Sequence, residues 1–442
     1  MLRGQSPQHT PAETHPRRDF LKGGASAVTA ATLAATFPGR AGAFVDGNET
    51  LRVGLVGCGG RGTGAANNAL AADKYTRLVA MGDVFREQID SSINTLKNQE
   101  AIAAQVEVHE DYKFVGLDAF QNVIDNVDVV LLATPPGFRP VHLRAAVEAD
   151  KHIFTEKPMA TDAPGVRSVI ETVELAKQKK LGLCAGFCWR YDYARRALFE
   201  KIHAGAIGDV VAVYGTYLTG PVKPMPPAET RPEGISDLEW MVRNWYNFTW
   251  LSGDGLVEQA VHTVDWLAWT HDDNPPASCT AVGGRQIPAH GGNIFDHIEV
   301  NYVWDDDTRG FLAQRQMNGC YGENRLYLLG TKGKAEIGPR GVSIDADEKW
   351  RYKGPGNNMY QTEHDEFFLS LRDNKPINDG DRMWKSTLMA IMGRMAGYTG
   401  QQVTWDDALN SEVALVPEIT DSWRTPVKFP AMAQPGVDGG EV

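Results

Sequence analysis

From residue 51 to residue 187, short apolar runs alternate with longer amphipathic stretches. Leu51–Val56 is a compact apolar run opening into glycines, and the spacing then predicts a helix over 65–72 and a strand over 78–82 ending at Asp83. Further along, strands are predicted over 128–133, 151–156 and 181–187, with helices over 141–149 and 163–180 between them. Near-continuous apolar strands separated by helices imply a parallel sheet covered on both faces.

Beyond residue 187 the pattern changes. Alternating runs over 210–218, 279–283, 297–304, 310–317 and 325–329 predict an open, mostly antiparallel sheet with one face on helices. Helices return over 360–373 and 382–398, with Gly400 closing the last. The Pro-rich insert over 221–234 reads as a loop over a pocket or as a subunit contact.

Residues 1–43 fit neither pattern. His15-Pro16-Arg17-Arg18-Asp19-Phe20-Leu21-Lys22 precedes a weakly apolar Ala/Thr-rich stretch and a small-residue pattern, Ala41-Gly42-Ala43. That order is expected of a twin-arginine export signal; the alternative is a tail with a chance arginine pair. The stretch is too short for a bilayer span, and no later segment reads as one. The expected location is periplasmic or otherwise exported, reached through the twin-arginine translocase.

Composition narrows the partners. The formal net charge is −12, and near −15 once residues 1–43 are set aside, so nucleic acid and anionic lipid are poor partners. Cysteines 58, 184, 188, 279 and 320 form no framework, and the spacing of Cys184 and Cys188 is neither a redox pair nor a complete metal set. Buried free thiols are expected, a disulfide stays open, and no metal is expected.

Gly57-Cys58-Gly59-Gly60-Arg61-Gly62 follows the first strand, and Asp83 ends the second, 21 residues beyond Gly62. Strand, glycine loop, helix, strand and acid in that order form a dinucleotide fingerprint; a ligand-free glycine turn is a poor account of the whole sequence of features. Gly57 allows the tight turn, Gly59 lets backbone approach a pyrophosphate, and Gly62 permits close helix packing. Cys58, Gly60 and Arg61 complete the loop. Asp83 would accept bonds from ribose hydroxyls, favouring NAD, while Arg86 keeps NADP open. The expected fold class is α/β: an N-terminal Rossmann doubly wound parallel sheet over 44–186, and a C-terminal α+β domain with an open sheet over 187–442. An exported enzyme meets no free nicotinamide pool, so its cofactor should be tightly bound and regenerated in place.

Glu156-Lys157-Pro158 ends a later strand, on the edge where a doubly wound sheet holds its ligands. An ammonium there stabilises alkoxide character on a substrate oxygen, and burial could fit it for proton transfer. A surface pair between Lys157 and Glu156 is the alternative, and its position argues against it.

The glycine loop followed about a hundred residues later by Glu156-Lys157-Pro158 resembles the glucose-fructose oxidoreductase / inositol dehydrogenase / MocA (Gfo/Idh/MocA) family. The resemblance spans residues 51 to about 409 and is specific at 57–62, 156–158 and 253–265. It implies that Glu156 and Lys157 lie beside a nicotinamide ring, and that Thr134 and Pro135 pass its ribose. In the family a glycine-rich turn opens a helix carrying an acid and, four residues later, a histidine. Those positions are Glu258 and His262, a spacing that shares one helix face. His262 would take the alcohol proton. The family's usual acid is aspartate, so Glu258 stands either as a substrate contact or as an aid to proton transfer. Asp265 completes the family's His-x-x-Asp pattern, as a substrate contact or a structural residue. A lone helical histidine is more often a core residue, but the register with Lys157 and Glu258 favours catalysis.

The resemblance also makes Arg190 and Tyr191, in the segment 187–191, pocket-lining substrate contacts, and Gly205-Ala206-Ile207-Gly208 the step into the second domain. Five of the eleven tryptophans fall within residues 240–269. They read either as stacking surfaces for sugar rings, Trp245 among them, or as a tryptophan-rich core. Pairing of the open sheet face implies a homodimer or homotetramer.

Three functions remain. The first is an NAD(P)-dependent oxidoreductase acting on a secondary hydroxyl of a sugar, glycoside or cyclitol, with a second carbonyl or other acceptor reoxidising the cofactor. The second is a glycosidase or lyase that oxidises the sugar transiently and returns the hydride. Some members, NAD-dependent N-acetylgalactosaminidases, share the export signal and a loop like Gly59-Gly60-Arg61-Gly62, but depart from the Glu-Lys-Pro step kept here. A nucleotide or sugar sensor needs Lys157 and His262 idle and ranks last.

Overall fold

All of β1 (Leu51–Val56) is buried except Arg52, as a strand covered on both faces requires. The computed structural model describes residues 49–287, 291–420 and 422–437; the stretch expected to be an export signal, 1–43, lies outside the described residues. β1 joins β2 (Thr76–Asp83), β3 (Lys113–Val115), β4 (Val129–Leu132), β5 (His152–Thr155) and β6 (Leu183–Ala185) in a parallel sheet of order β3-β2-β1-β4-β5-β6. The connecting helices are α1 (Gly60–Ala72), α2 (Arg86–Lys97), α3 (Ala119–Asp125), α4 (Arg139–Glu148) and α5 (Ala163–Gln178). Strand order reverses between β1 and β4, and this opens a crevice at the carboxyl edge of the sheet.

α1 starts at Gly60, five residues before the predicted start, because the glycine loop itself turns into the helix. A Cβ on Gly62 would meet Gly57 O at 1.9 Å, so only glycine lets this first turn pack beneath the loop. The short β3 and the helices α2 and α3 escaped the sequence pattern. In α2 the apolar stripe is only Ile89, Ile93 and Leu96 in an otherwise polar segment.

α6 (Tyr193–His203) leads into β7 (Val210–Thr219), followed by α7 (Asp237–Arg243), α8 (Thr249–Ser252), α9 (Gly255–Glu258) and α10 (Val261–Thr270). Then come β8 (Ser278–Gly284), β9 (His297–Val303), β10 (Arg309–Gln316), β11 (Glu323–Gly330), β12 (Gly333–Gly338), β13 (Gly341–Ala346) and β14 (Trp350–Arg351). α11 (Met359–Arg372), α12 (Gly380–Thr399), β15 (Val403–Thr404) and α13 (Trp405–Asn410) complete the chain.

The second sheet has nine strands in the order β14-β13-β12-β11-β7-β10-β9-β8-β15. Only β7 and β10 pair in parallel; the other pairings are antiparallel, so the fold is the α/β class expected. Val300, Leu312, Leu326 and Leu328 on its inner face share one apolar cluster with Val264 of α10 and Ile391 of α12. The outer face leaves Tyr214, Val282 and Leu329 exposed. The sequence pattern stopped at 329 and missed β12 to β14, where glycines and charged residues dilute the alternation. Among the described residues no helix is long and apolar enough to cross a membrane. All five cysteines are unpaired, four of them buried and Cys320 exposed.

Candidate active site

A cavity of about 380 Å³ opens where β1 and β4 part, bordered by Gly57, Gly59, Gly60, Asp83, Thr134 and Pro135. Gly57 has φ +91°, and a Cβ there would strike the backbone of Ala133 and Thr134 within 2.8 Å. At Gly59 and Gly60 a Cβ would meet nothing within 4 Å and would project into free space. Backbone with no side chain, at the start of α1, is the cradle a pyrophosphate needs, so the loop fits a dinucleotide.

Asp83 ends β2 at the cavity wall. Its Oδ2 accepts from Cys58 N at 2.7 Å and its Oδ1 from Phe85 N at 2.9 Å. Burial pushes this carboxyl above its usual range, against those hydrogen bonds. Each oxygen keeps a lone pair for a ribose hydroxyl.

Four other expected cofactor contacts are placed differently. Cys58 spends its N–H on Asp83 and turns its buried thiol to Gly82 O, 3.4 Å away. Arg61 forks away from the loop onto Glu156 and onto Glu363, 3.2 Å from Nη2. Glu156 is thereby bound to Arg61 and does not border the cavity. Burial opposes the charge on Arg61, but the two carboxylates outweigh it and hold its pKa up. Arg86 is exposed on α2, tied to Asp90 at 3.0 Å and to Glu110, and does not border the cavity.

Residues from the second half of the chain close the cavity, among them one from the insert expected to form a loop over a pocket or a subunit contact. Lys223, from the Pro-rich insert, borders it with Arg243 and Trp245. Trp245, expected to touch substrate, therefore lies on the cofactor side. The Arg243 guanidinium sits 3.9 Å from the centroid of Phe85, a cavity residue. Trp423 of the C-terminal segment also stacks on Phe85, with centroids 5.6 Å apart and ring planes 10° apart. That segment is pinned by Asp162, whose Oδ2 accepts from Leu415 N at 2.8 Å.

The residues expected to carry the reaction lie beyond β5. Arg139, fully enclosed at the start of α4, donates to the carbonyls of Thr134, Glu156 and Pro158, the last at 2.9 Å. It ties the loop after β4 to the Lys157–Pro158 step, whose peptide is cis. Burial brings its pKa down to about 10, against the charges of Glu156 and Glu258.

Lys157 Nζ lies 3.0 Å from Glu258 Oε1 and also donates to Glu258 O. Glu258 Oε2 accepts from Gln259 Nε2 at 2.5 Å, and Gln259 Oε1 from the Tyr217 hydroxyl at 2.6 Å. The expected continuous helix through 258–265 is interrupted: α9 ends at Glu258 and α10 begins at Val261. Asp254 shapes the turn before it at φ 103°, with Oδ1 accepting from Leu256 N at 2.9 Å and Oδ2 from the Tyr398 hydroxyl at 2.5 Å. Lys157, not a shared helix face, links Glu258 to the neighbourhood of His262.

His262 is half-buried, and its Nδ1 is enclosed without a hydrogen-bond partner. Burial holds its pKa well below the usual histidine range, helped by the positive charges of Lys157, Arg195 and Arg61. Its ring stacks on Trp189 with centroids 4.8 Å apart. A neutral imidazole, an ammonium and a carboxylate thus meet in one place, a set able to take a proton from a hydroxyl and stabilise the oxygen left behind.

Three expected substrate contacts prove to be internal. Arg190 forks onto Asp265 through two bonds of 2.8 Å and also pairs with Asp273. Asp265 is saturated further by Ser386 at 2.8 Å. The buried Tyr191 hydroxyl donates to Asp379 at 3.1 Å. A buried charge requires a partner of its own, and these residues found theirs within the fold. The sequence missed Trp189, Tyr217, Gln259 and Arg139. Trp189 lay inside the segment read as pocket-lining and Gln259 beside Glu258, whereas nothing local marks Arg139 or Tyr217.

Comparison with known proteins bears on the fold and the family. Residues 51–187 match the family model described as oxidoreductase family, NAD-binding Rossmann fold. Residues 196–336 match the one described as GFO/IDH/MocA C-terminal domain. An inositol 2-dehydrogenase of Rubrobacter xylanophilus is 25% identical over 298 residues, covering 67% of this chain and 74% of that protein. The fold is similar to that of scyllo-inositol dehydrogenase from Lactobacillus casei with bound NAD(H) and scyllo-inositol, at TM-score 0.61 and 19% identity, covering 81% of this chain and 100% of the other. It is also similar to aldose-aldose oxidoreductase from Caulobacter crescentus, at TM-score 0.61 and 20% identity, covering 80% and 100%.

Proposed function

The chain belongs to the Gfo/Idh/MocA family of oxidoreductases, and we propose that it oxidises a secondary hydroxyl of a sugar, glycoside or cyclitol with a tightly held NAD. The observation that carries this is the meeting of Lys157, Glu258 and His262 beyond β5, next to a glycine cradle shaped for a dinucleotide. NAD bound there supplies the hydride acceptor. Lys157 Nζ draws in the substrate oxygen and stabilises its negative charge, while Glu258 holds the ammonium in place. The neutral imidazole of His262 takes the hydroxyl proton. Inositol and sugar substrates in the names of the relatives fit such a hydroxyl.

NAD rather than NADP is supported by Asp83 at the cavity wall and by Arg86, which is committed to Asp90 and Glu110. Retention through turnover is supported by the closure of the cavity around Phe85 by Arg243 and Trp423. The export signal over 1–43 makes retention necessary, since an exported enzyme cannot draw on a cytoplasmic pool. The exposed outer sheet face, with Tyr214, Val282 and Leu329, supports a homodimer or homotetramer.

Mass spectrometry of products from cofactor-loaded protein incubated with free sugars, cyclitols and glycosides tests the proposal. A product lighter by two hydrogens with its glycosidic bond intact is expected. Cleaved glycoside without lasting oxidation would replace the oxidoreductase with a glycosidase or lyase that returns its hydride.

A further inference from the structure

Arg195 lies in the first turn of α6, largely enclosed, with its guanidinium over a row of rings that leads to the reaction centre. Its Cζ is 4.9 Å from the ring centroid of Trp189 and 5.1 Å from that of Trp266. Trp189 in turn stacks on His262.

Arg195 differs from the other arginines near this centre. Arg61 has Glu156 and Glu363, Arg190 has Asp265 and Asp273, and Arg382 has Asp379. Among the described residues, the one hydrogen bond of the Arg195 guanidinium runs from Nη1 to Met359 Sδ, at 3.3 Å. Asp192, the nearest acid in sequence, is turned back to cap α6 and accepts the Arg195 backbone N–H at 2.9 Å. A thioether is a weak acceptor, and indole faces offer a cation only a modest attraction. Burial accordingly lowers the pKa of this guanidinium, and Asp192 only partly offsets the effect.

The donors left over are not sealed in. Arg195 also borders an open cavity of about 510 Å³, together with Asn324 and Arg325. A planar fork of donors, short of an anion, separated from the His262 imidazole by the Trp189 indole and open to a cavity matches a carboxylate better than any neutral hydroxyl. The carboxylate that also borders this cavity, Glu323, is engaged by the hydroxyls of Thr216, Tyr321 and Tyr327 and lies 3.5 Å from Arg325, and Glu258 is engaged by Lys157 and Gln259.

We propose that Arg195 receives a carboxylate carried by the sugar, so that the enzyme acts on a uronic acid or similar sugar acid. This rests on the sugar oxidation proposed above. Trp189 then forms the floor between the carboxylate at Arg195 and the reacting hydroxyl at His262.

Calorimetric titration of the full-length, cofactor-loaded protein tests this without requiring turnover. The probes are D-glucuronate and D-galacturonate, their neutral parents D-glucose and D-galactose, and D-glucose 6-phosphate. At least one uronate is expected to bind tenfold or more tightly than its parent hexose. Arg195→Gln should remove that difference while leaving hexose binding and bound nucleotide unchanged. Arg195→Lys, which keeps the charge and loses the fork, should keep only part of it. Equal binding of uronate and hexose by the wild-type protein overturns the proposal, as does a uronate preference that survives Arg195→Gln. Tighter binding of the sugar phosphate than of either uronate overturns the carboxylate assignment. Uronate that binds through Arg195 yet yields no product lighter by two hydrogens would retain this site and remove the oxidation instead.

Discussion

Lys157 Nζ and Glu258 Oε1 lie 3.0 Å apart, although 101 residues separate them in the chain. Both side chains are enclosed, at 9% and 10% exposure. Removing one member of such a pair strands the other charge, at a cost of about 3–5 kcal/mol unless it finds water. Lys157→Met should lower kcat by about 10²–10⁴-fold, with nucleotide still bound. Glu258→Gln should do less, because its amide oxygen can still accept from Lys157. Turnover and the nucleotide absorbance of the purified variants separate these effects. Wild-type rates in Lys157→Met would show that the ammonium does not face the reacting oxygen.

His262→Ala should abolish turnover and leave the nucleotide in place. In the wild-type protein, burial and three nearby cations hold the imidazole pKa well below its usual value of about 6.5. The ring is therefore neutral, and able to accept a proton, at and below pH 6.5. The acid limb of the pH–rate profile should lie well under that value. A limb centred near 6.5 would assign it to some other group.

Asp83→Ala should loosen NAD. Loss of hydrogen bonds to a charged acceptor costs about 1.5–3 kcal/mol, which corresponds to roughly a 10- to 100-fold faster nucleotide exchange. Dialysis against excess labelled NAD measures it. Unchanged exchange would move the ribose contact to another residue.

Trp423→Ala removes the stack on Phe85 from the cofactor wall. Aromatic pairs contribute about 0.5–1.5 kcal/mol beyond burial, so NAD release should accelerate several-fold with kcat on bound sugar little changed. A variant that retains nucleotide as the wild type does would free the C-terminal segment of any role in retention.

Stability should fall on acidification through buried histidines. His142 and His364 are held at pKa values of about 3, chiefly by burial, with Arg139 adding to the effect at His142. Native histidines stay neutral while unfolded ones protonate below about pH 6.5, so the unfolded state binds more protons there. Each group then removes up to about 1.4 kcal/mol per pH unit as pH drops from 6.5 toward 3. Glu363, raised by burial and by Glu156, acts in the opposite direction, losing stability as pH rises from the usual glutamate range. Urea midpoints across pH 4–7 for wild type and His142→Asn should show a shallower acid slope in the variant.

The sequence by itself determined the parallel sheet, the glycine cradle and the position of Lys157 at the end of a strand. Each follows from local patterns: apolar runs, glycine spacing and an acid a fixed distance away. β1 kept its predicted bounds because both its faces are buried, and Gly62 is dictated by a backbone contact with Gly57 in its own turn. Tertiary structure alone decided which charges are free for chemistry. Arg61, Arg86, Arg190 and Asp265 looked available in the sequence, but each found partners far along the chain or on a neighbouring turn. Arg195 looked ordinary and, among the described residues, was left with a thioether rather than a carboxylate as its hydrogen-bond partner. Charge pairing depends on distances between residues hundreds of positions apart, and burial sets its value; neither is encoded in local spacing.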